Sequence, residues 1–589
     1  MGVFPLAVLA FYYYYSKGTV LLNSVSTNIL KFEFKSLAIS FIYICIAFAF
    51  FVYVYRVAGD NAKEIPSDQS YYSAISVHLQ ESSIENFNFS ENTSLQNGSS
   101  FYHYFELWLN AFIYSSFGLT ALHSLAFCVY PLFVGLILLG SFTITSRYFK
   151  NRWITFILSF FLLFVSSFPL LLQPVLKILN ISPSLNFSVL GNIGVKVGII
   201  YICLIWAFVN VKRDTFTQLL PIALCFVLYQ TTLPAITCGF ISVFIYEKYI
   251  CKKTDYYILI LGVLPAILIG LFYTYFAGHP VESAYGLSNF INDRIASMSS
   301  FKFVKLSIGN ILELFLTRII PFAPFAILIF VTWKQFAHFV KTFNTSILVI
   351  AFTILSSIMA YGLIFGVQDS TQSVTNFLYP SLSLILFVYL IIVLRYESLI
   401  IRLFASLILM LSFYFNQDFV FAANKPFVPR SMDSKSIDLI TKTIDNKLFT
   451  SAYIKNRSSY KSIFSKNIDY EIPYSNFRRM TNSYTPTCLS LFSFYPLSSN
   501  EERVYAERRI VNSPYFQFVK QRNLDGENEQ TKSKFLEELK IDYLFVEYGH
   551  PFLDQLGYLP VSKIVLLPDS AYYLVKFDWN KHHNVTHSH

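Results

Sequence analysis

LTALHSLAFCVYPLFVGLILLGSFTI, residues 119–144, contains no Asp, Glu, Lys or Arg, and Arg147, Lys150 and Arg152 follow close behind it. A helix rises about 1.5 Å per residue and a bilayer core about 30 Å thick takes roughly 20 residues. The stretch is therefore long and apolar enough to cross a membrane, and its reading sets that of the whole chain. Working outward, comparable runs with little or no charge lie at 3–15, 36–55, 153–172, 193–209, 216–230, 234–245, 256–276, 319–333, 345–367, 377–394 and 399–415. With 119–144 they predict about twelve transmembrane helices. The run 3–15 and the pair around Gln230 are the short ones. No basic residue precedes 3–15 and no small-residue cleavage site follows it, so it reads as a retained span.

Composition agrees. The chain has 589 residues, 54% of them hydrophobic and 14% charged, where soluble domains carry about a quarter charged, and this excludes a soluble enzyme. The net charge of +10 resolves into alternate loops, as the positive-inside rule expects. Lys31/Lys35, Arg147/Lys150/Arg152, Lys212/Arg213, Lys248/Lys252/Lys253, Lys334/Lys341 and Arg395/Arg402 fall in one set of connections. The intervening ones, 56–102, 173–192, 231–233, 277–318 and 368–376, are long or nearly free of basic charge. The basic set is read as cytoplasmic, so the charge does not point to nucleic acid. Six cysteines (Cys45, Cys128, Cys203, Cys225, Cys238, Cys251) lie in or beside apolar runs and Cys488 in the polar part, and no disulfide framework or zinc spacing emerges from them.

From about residue 416 charges become frequent and apolar runs shrink to strand length. Residues 416–589 are read as an extracytoplasmic α/β or α+β domain following a membrane domain of residues 1–415. Within it, 501–519 and 527–539 read as helices and 541–547 and 563–567 as buried strands. The run 570–577 should pair with its predecessor across the Pro568-Asp569 turn. His582, His583, His587 and His589 read as a disordered tail, and His123 and His338 as packing groups near span ends.

Where charge is scarce, ionisable groups on the outer face are informative. The first outer loop region, 56–118, holds Asp60, Glu64, Asp68, His78, Glu81, Glu85 and Glu91. Ser67-Asp68-Gln69-Ser70-Tyr71-Tyr72 opens a helix for which Ser67 is a suitable N-cap. Phe101-Tyr102-His103-Tyr104-Phe105-Glu106-Leu107-Trp108-Leu109-Asn110-Ala111-Phe112 leads to Phe117-Gly118 and reads as a helix lying in the outer interface. A carboxylate held beside aromatic rings at a membrane surface can serve as a general base. His103 and Glu106, three apart on one helical face, suit a sugar, a phosphate or a metal. A metal site would need Asp60, Asp68 or His78 to complete it. The second long outer loop, 277–318, carries Lys302, Lys305, Glu313 and Arg318 among apolar residues, which suits an interfacial helix feeding the next span. Arg318 stands at the membrane boundary, where it would either meet an anionic substrate group or snorkel to lipid headgroups. Lys196 is a second cation near an outer end. Three sequons, at Asn88, Asn92 and Asn97, also fall in the first loop.

Asp68, Gln69 and Tyr72, followed by Tyr102, His103, Trp108, Leu109, Phe117 and Gly118, resemble the first outer loop of the GT-C superfamily. These are polytopic glycosyltransferases that use lipid-phosphate-linked sugars, among them protein O-mannosyltransferases and aminoarabinose transferases. Gln69 stands where the family usually has a second acid, which leaves Asp68 as the base. The resemblance implies a GT-C-like membrane fold and inverting transfer of a sugar from a polyprenyl- or dolichyl-phosphate donor to a glycan, lipid or protein acceptor on the outer face. In the implied site Asp68 is catalytic, and Gln69, Tyr72, His103, Glu106, Lys305 and Arg318 bind substrate. A divalent cation is left open and is not required by the motif. The implied location is the plasma (inner) membrane if the source is prokaryotic. The alternative readings are a membrane polysaccharide polymerase or ligase, which shares the lipid-phosphate chemistry, and a transporter or lipid flippase, which should place ionisable groups at mid-bilayer depth.

Overall fold

The computed structural model describes residues 38–39, 41–50, 72–73, 75–77, 79–80, 83, 85, 104–119, 121–165, 197–211, 214–272, 275, 300–318, 322–364, 370–422, 434–444, 450–454, 487–490, 514–526, 528–568 and 572–580. The helical part comprises α1 (Phe41–Phe50), α2 (Phe105–Phe117), α3 (Ala121–Ser146), α4 (Arg152–Leu163), α5 (Gly198–Val209), α6 (Thr215–Leu228), α7 (Leu233–Tyr249) and α8 (Tyr256–Leu271). It continues through α9 (Ser300–Arg318), α10 (Ala323–Val331), α11 (Trp333–Thr342), α12 (Asn344–Ile364), α13 (Ser370–Tyr396) and α14 (Leu399–Ala422). Every apolar run from residue 36 onward contains one of these helices; the run 3–15 lies outside the described residues. By length and composition, two segments can cross a membrane among the described residues, Ala121–Ser146 and Asn376–Tyr396, or up to three if the bent pair α10–α11 is one span. The other apolar stretches among the described residues run 10–17 residues, so the structure supports an integral membrane protein without establishing the expected twelve spans.

Local chemistry explains where several helices begin. Asn151, Asp214 and Asp255 each stand just after a basic loop, and their side chains accept from the first backbone N–H groups of α4, α6 and α8. These caps satisfy donors that the helix itself leaves orphaned.

Side chains near the helix ends gather the basic loops at one end of the bundle. Arg147, just past α3, donates to the carbonyls of Phe208 and Val209 where α5 finishes. Tyr148 packs edge-on against Tyr396 at the end of α13, 6.4 Å between ring centroids. Phe208 meets Phe343 at 5.0 Å, the Gln218 Nε2 donates to Ser346 Oγ at 2.7 Å, and Phe216 meets Tyr257 at 5.7 Å. These pairs bring together the connections carrying Arg147, Lys212, Lys252, Lys341 and Arg395, the same set that alternation of charge selects. The opposite end has an uncharged polar cluster. The turn between α6 and α7 buries Gln230 and Thr232, and the Asn376 Nδ2 donates to the Tyr229 hydroxyl at 2.7 Å.

The C-terminal region contains α15 (Ser434–Thr443), β1 (Thr450–Ile454), β2 (Thr487–Ser490), α16 (Pro514–Gln521), α17 (Glu529–Glu538), β3 (Tyr543–Glu547), β4 (Val561–Leu567) and β5 (Tyr572–Phe577). The sheet is mixed, in the order β2-β1-β3-β5-β4, with β1 parallel to β2 and β3, and β5 antiparallel to β3 and β4. Its core is separate from that of the bundle and joins Leu544, Val546, Val575 and Phe577 to Tyr515, Phe518 and Phe535 of α16 and α17. Tyr543 and Lys563 reach α15 through Thr443. The expected pairing of 570–577 with its predecessor is present. The strand expected to be buried at 563–567 instead lies at the sheet edge, with Ile564 and Leu566 about half exposed. An apolar run marks a strand, but whether it has one neighbour or two depends on chain order. Helix α14 runs on to Ala422, past residue 415, and residues 501–513 of the first expected helix lie outside the described set.

Candidate functional site

The described part of the first outer loop folds as a helix and a turn against α2. Residues described between 72 and 80 are helical, and their apolar positions divide between two faces. Tyr72, Ile75 and Leu79, spaced by three and four, enter the main core with Tyr104, Leu107, Leu125 and Val129. Val77 points the other way and is buried with Ala111, Tyr114 and Ala121, beneath Trp108. The helix closes on Ser83, whose N–H bonds the Leu79 carbonyl at 2.9 Å and whose φ of 58° is left-handed. That turn sends the chain to Glu85, which is 3% exposed and accepts from the Trp108 indole Nε1 at 3.0 Å. The Tyr114 hydroxyl donates to Gln80 Oε1 and ties the same two segments nearly two turns further along α2.

Helix α2 supplies the second buried carboxylate. Glu106 lies in its first turn, where the helix dipole favours an anion, and is 2% exposed. One turn later the Asn110 Nδ2 donates to the Ala121 carbonyl at 3.0 Å, fixing α2 to the start of α3. Gly118 ends α2 at φ 65°, and its N–H bonds the Tyr114 carbonyl. Because α3 starts here and ends at Arg147, Glu85, Glu106 and Trp108 stand at the end of the bundle opposite the basic loops.

Arg318 is the last residue of α9, and Phe322, four residues on, packs its ring against Tyr379 at 6.1 Å. Tyr379 lies three residues along α13 from Asn376, so α9 ends toward the polar, non-basic end. Lys305 is exposed on the same helix, thirteen positions earlier, or about 20 Å along the axis. A single phosphate cannot be held by both. Asp68, Gln69 and His103 lie outside the described residues, as does Lys196. Tyr72, expected to bind substrate, is buried at 3% exposure in the core.

Glu85 is the residue that sequence reasoning did not single out. It was one acid among six between residues 56 and 102, and its pairing with an indole 23 positions away leaves no local signal. The connection expected at 231–233 is present as the Tyr229–Thr232 turn, but the bond from Asn376 to the Tyr229 hydroxyl joins residues 147 positions apart and has no local signal. Among the described residues no three His, Cys, Asp or Glu side chains gather as a metal site. Glu85 and Glu106 are the buried carboxylates that the described residues place at this end.

The Glu85–Trp108 bond gives a direct test of the loop's anchorage. Trp108→Phe removes an indole donor from a buried carboxylate oxygen and should cost about 1–3 kcal/mol, read as a lower thermal midpoint of the solubilised protein. Adding Glu85→Gln should recover part of the loss, because a neutral amide is cheaper to bury than an anion. A double variant no better than the single one would mean that the indole matters only for packing.

The fold is a membrane helical bundle with a small mixed sheet after it, and its acidic, aromatic end faces away from its basic loops. No protein-family model matches the sequence, and no curated protein matches it either. Among solved structures, the chain overlaps the oligosaccharyltransferase AglB of Archaeoglobus fulgidus in complex with an inhibitory peptide and dolichol-phosphate, at 10% identity, 93% of this chain, 75% of that one and a TM-score of 0.43. The same archaeal enzyme in complex with Zn and sulfate overlaps at 14% identity, 86% and 68% coverage and a TM-score of 0.40. ArnT from Cupriavidus metallidurans bound to undecaprenyl phosphate overlaps at 11% identity, 91% and 97% coverage and a TM-score of 0.42.

Proposed function

We propose that the chain is a GT-C-like membrane glycosyltransferase that transfers a sugar, with inversion, from a polyprenyl- or dolichyl-phosphate donor to an acceptor at the outer membrane interface. The observation that carries this reading is the placement of an acidic and aromatic loop system, Glu85, Glu106 and Trp108, at the end of the bundle away from the basic loops. With the basic loops cytoplasmic, that end faces out and meets the headgroup of a lipid-linked donor. Asp68, thirteen residues before Glu81 in the same loop, acts as general base on the acceptor hydroxyl. The hydroxyl oxygen attacks the anomeric carbon, the bond from that carbon to the lipid phosphate breaks, and the phosphate leaves as an anion with the bonding pair. A stable anionic leaving group needs no general acid.

In this scheme Arg318 neutralises the leaving phosphate, and Lys305, too distant to share it, meets a different part of the substrates. Gln69, Tyr72, His103 and Glu106 shape the sugar site, Tyr72 from within the core. The C-terminal residues 416–589 stand on the same outer side, where they hold the acceptor or cover the site. The transporter reading predicts ionisable groups deep in the bundle. Among the described residues the buried charges of the helical part are Glu85 and Glu106, both at one end, which favours the transferase.

The test is sugar transfer in vitro from a synthetic polyprenyl-phosphate sugar by the purified, reconstituted protein. Arg318→Gln should raise KM for the donor about tenfold or more, the worth of a charge-assisted bond to phosphate, with a smaller change in kcat. An unchanged KM would reduce Arg318 to a headgroup-snorkelling residue.

A further inference from the structure

We propose that α11 is a docking surface for anionic phospholipid headgroups, lying flat in the membrane interface at the basic end of the bundle. The proposal rests on the chain being membrane-embedded and is independent of the chemistry at the other end. Helices α10 and α11 are bent by 99° at Thr332. Helix α10 is apolar throughout and presents Phe330, 83% exposed, away from the bundle, as a lipid-facing side chain does. A helix at a right angle to it therefore runs along the membrane plane rather than through it.

The bend is built, and α11 has two distinct faces. Thr332 Oγ1 donates to the Leu328 carbonyl at 2.7 Å and also bonds the Tyr389 hydroxyl. Phe336 packs edge-on against Tyr389 at 5.5 Å, and Phe339 lies 6.0 Å from the same ring. Those rings fix the inner face. Lys334, His338 and Lys341, spaced by four and three, form one exposed stripe on the outer face, with Ala337 beside it. Trp333, 61% exposed at the elbow, is the residue type that settles at headgroup depth. Residues 333–342 contain no Asp or Glu, so the exposed face is purely basic or neutral. Its complement is a negatively charged sheet at a fixed depth, which an anionic leaflet provides.

The experiment uses the full chain in nanodiscs of phosphatidylcholine with about a third phosphatidylglycerol. After transfer to detergent, lipid retained by the protein is quantified by mass spectrometry. The wild type should retain phosphatidylglycerol in preference to phosphatidylcholine, and Lys334→Gln/Lys341→Gln should lower that preference about twenty-five-fold, at about fivefold for each lysine. Lys334→Arg/Lys341→Arg, which keeps the charge, should preserve it and serves as the folding control for the pair. Equal preference in the wild type and the Gln variant would overturn the assignment. So would a wild type with no preference at all. Neither result bears on sugar transfer, which is read separately with the donor assay.

Discussion

Asp68→Asn should lower kcat for sugar transfer by about two to four orders of magnitude, the usual worth of a positioned general base, while KM for the lipid-linked donor stays within a few-fold. The amide keeps the size and hydrogen-bonding capacity of the side chain but cannot take the proton of the attacking hydroxyl. The loss therefore falls on the transition state rather than on ground-state binding. Asp68→Glu should retain more activity than the Asn variant, because a carboxylate is still present, though displaced by one methylene. Gln69→Ala should act more mildly, since its neutral amide can orient a substrate hydroxyl without accepting a proton. Full activity in Asp68→Asn would remove the general base from this loop. Glu85 and Glu106, both buried at the same end of the bundle, would be the next carboxylates to replace.

The sequence made the apolar helices legible because insertion into lipid is decided over about 20 residues at a time, and composition over such a window survives the loss of all tertiary information. Residues 119–144 differ from the helix Ala121–Ser146 by two positions at either end. The short runs around Gln230 were harder. Helix α7 continues through Glu247 and Lys248 to Tyr249, since charges in a last turn can reach the interface and do not stop a helix. Pro221, Pro265 and Pro380 lie inside helices α6, α8 and α13, as membrane helices tolerate. Charge alternation also carried three-dimensional content, because the loops it grouped are the ones that Arg147, Tyr148 and Phe208 join. Pairings between distant residues were not legible. Nothing near Glu85 in the sequence announces Trp108 as its donor, and nothing in the run 563–567 announces that, among the described strands, β4 pairs with β5 alone. Such facts depend on how segments meet, which local pattern does not encode.

Gly239→Leu should be among the most damaging substitutions in the bundle, costing about 3 kcal/mol and lowering the thermal midpoint in detergent by about 2–3 °C. Helices α7 and α12 form the most extensive helix pairing among the described residues, and Gly239 faces Thr353 across it. A Cβ at position 239 would collide with Thr353 Oγ1 and stand 2.9 Å from both the Cα and the backbone N of Thr353. Side chains can rotate away from such a contact, whereas backbone atoms cannot unless the whole helix moves. Close approach at small residues is how helices gain packing energy in lipid, where no hydrophobic difference drives them together. The two causes of strain can be separated. Gly239→Ala alone should destabilise despite the better helix propensity of alanine. Adding Thr353→Ala removes the hydroxyl but leaves the backbone where it was, so the double variant should recover only part of the loss. Complete recovery would mean that the hydroxyl alone sets the spacing. An unchanged midpoint in Gly239→Leu would mean that α7 and α12 do not approach as closely as this contact requires.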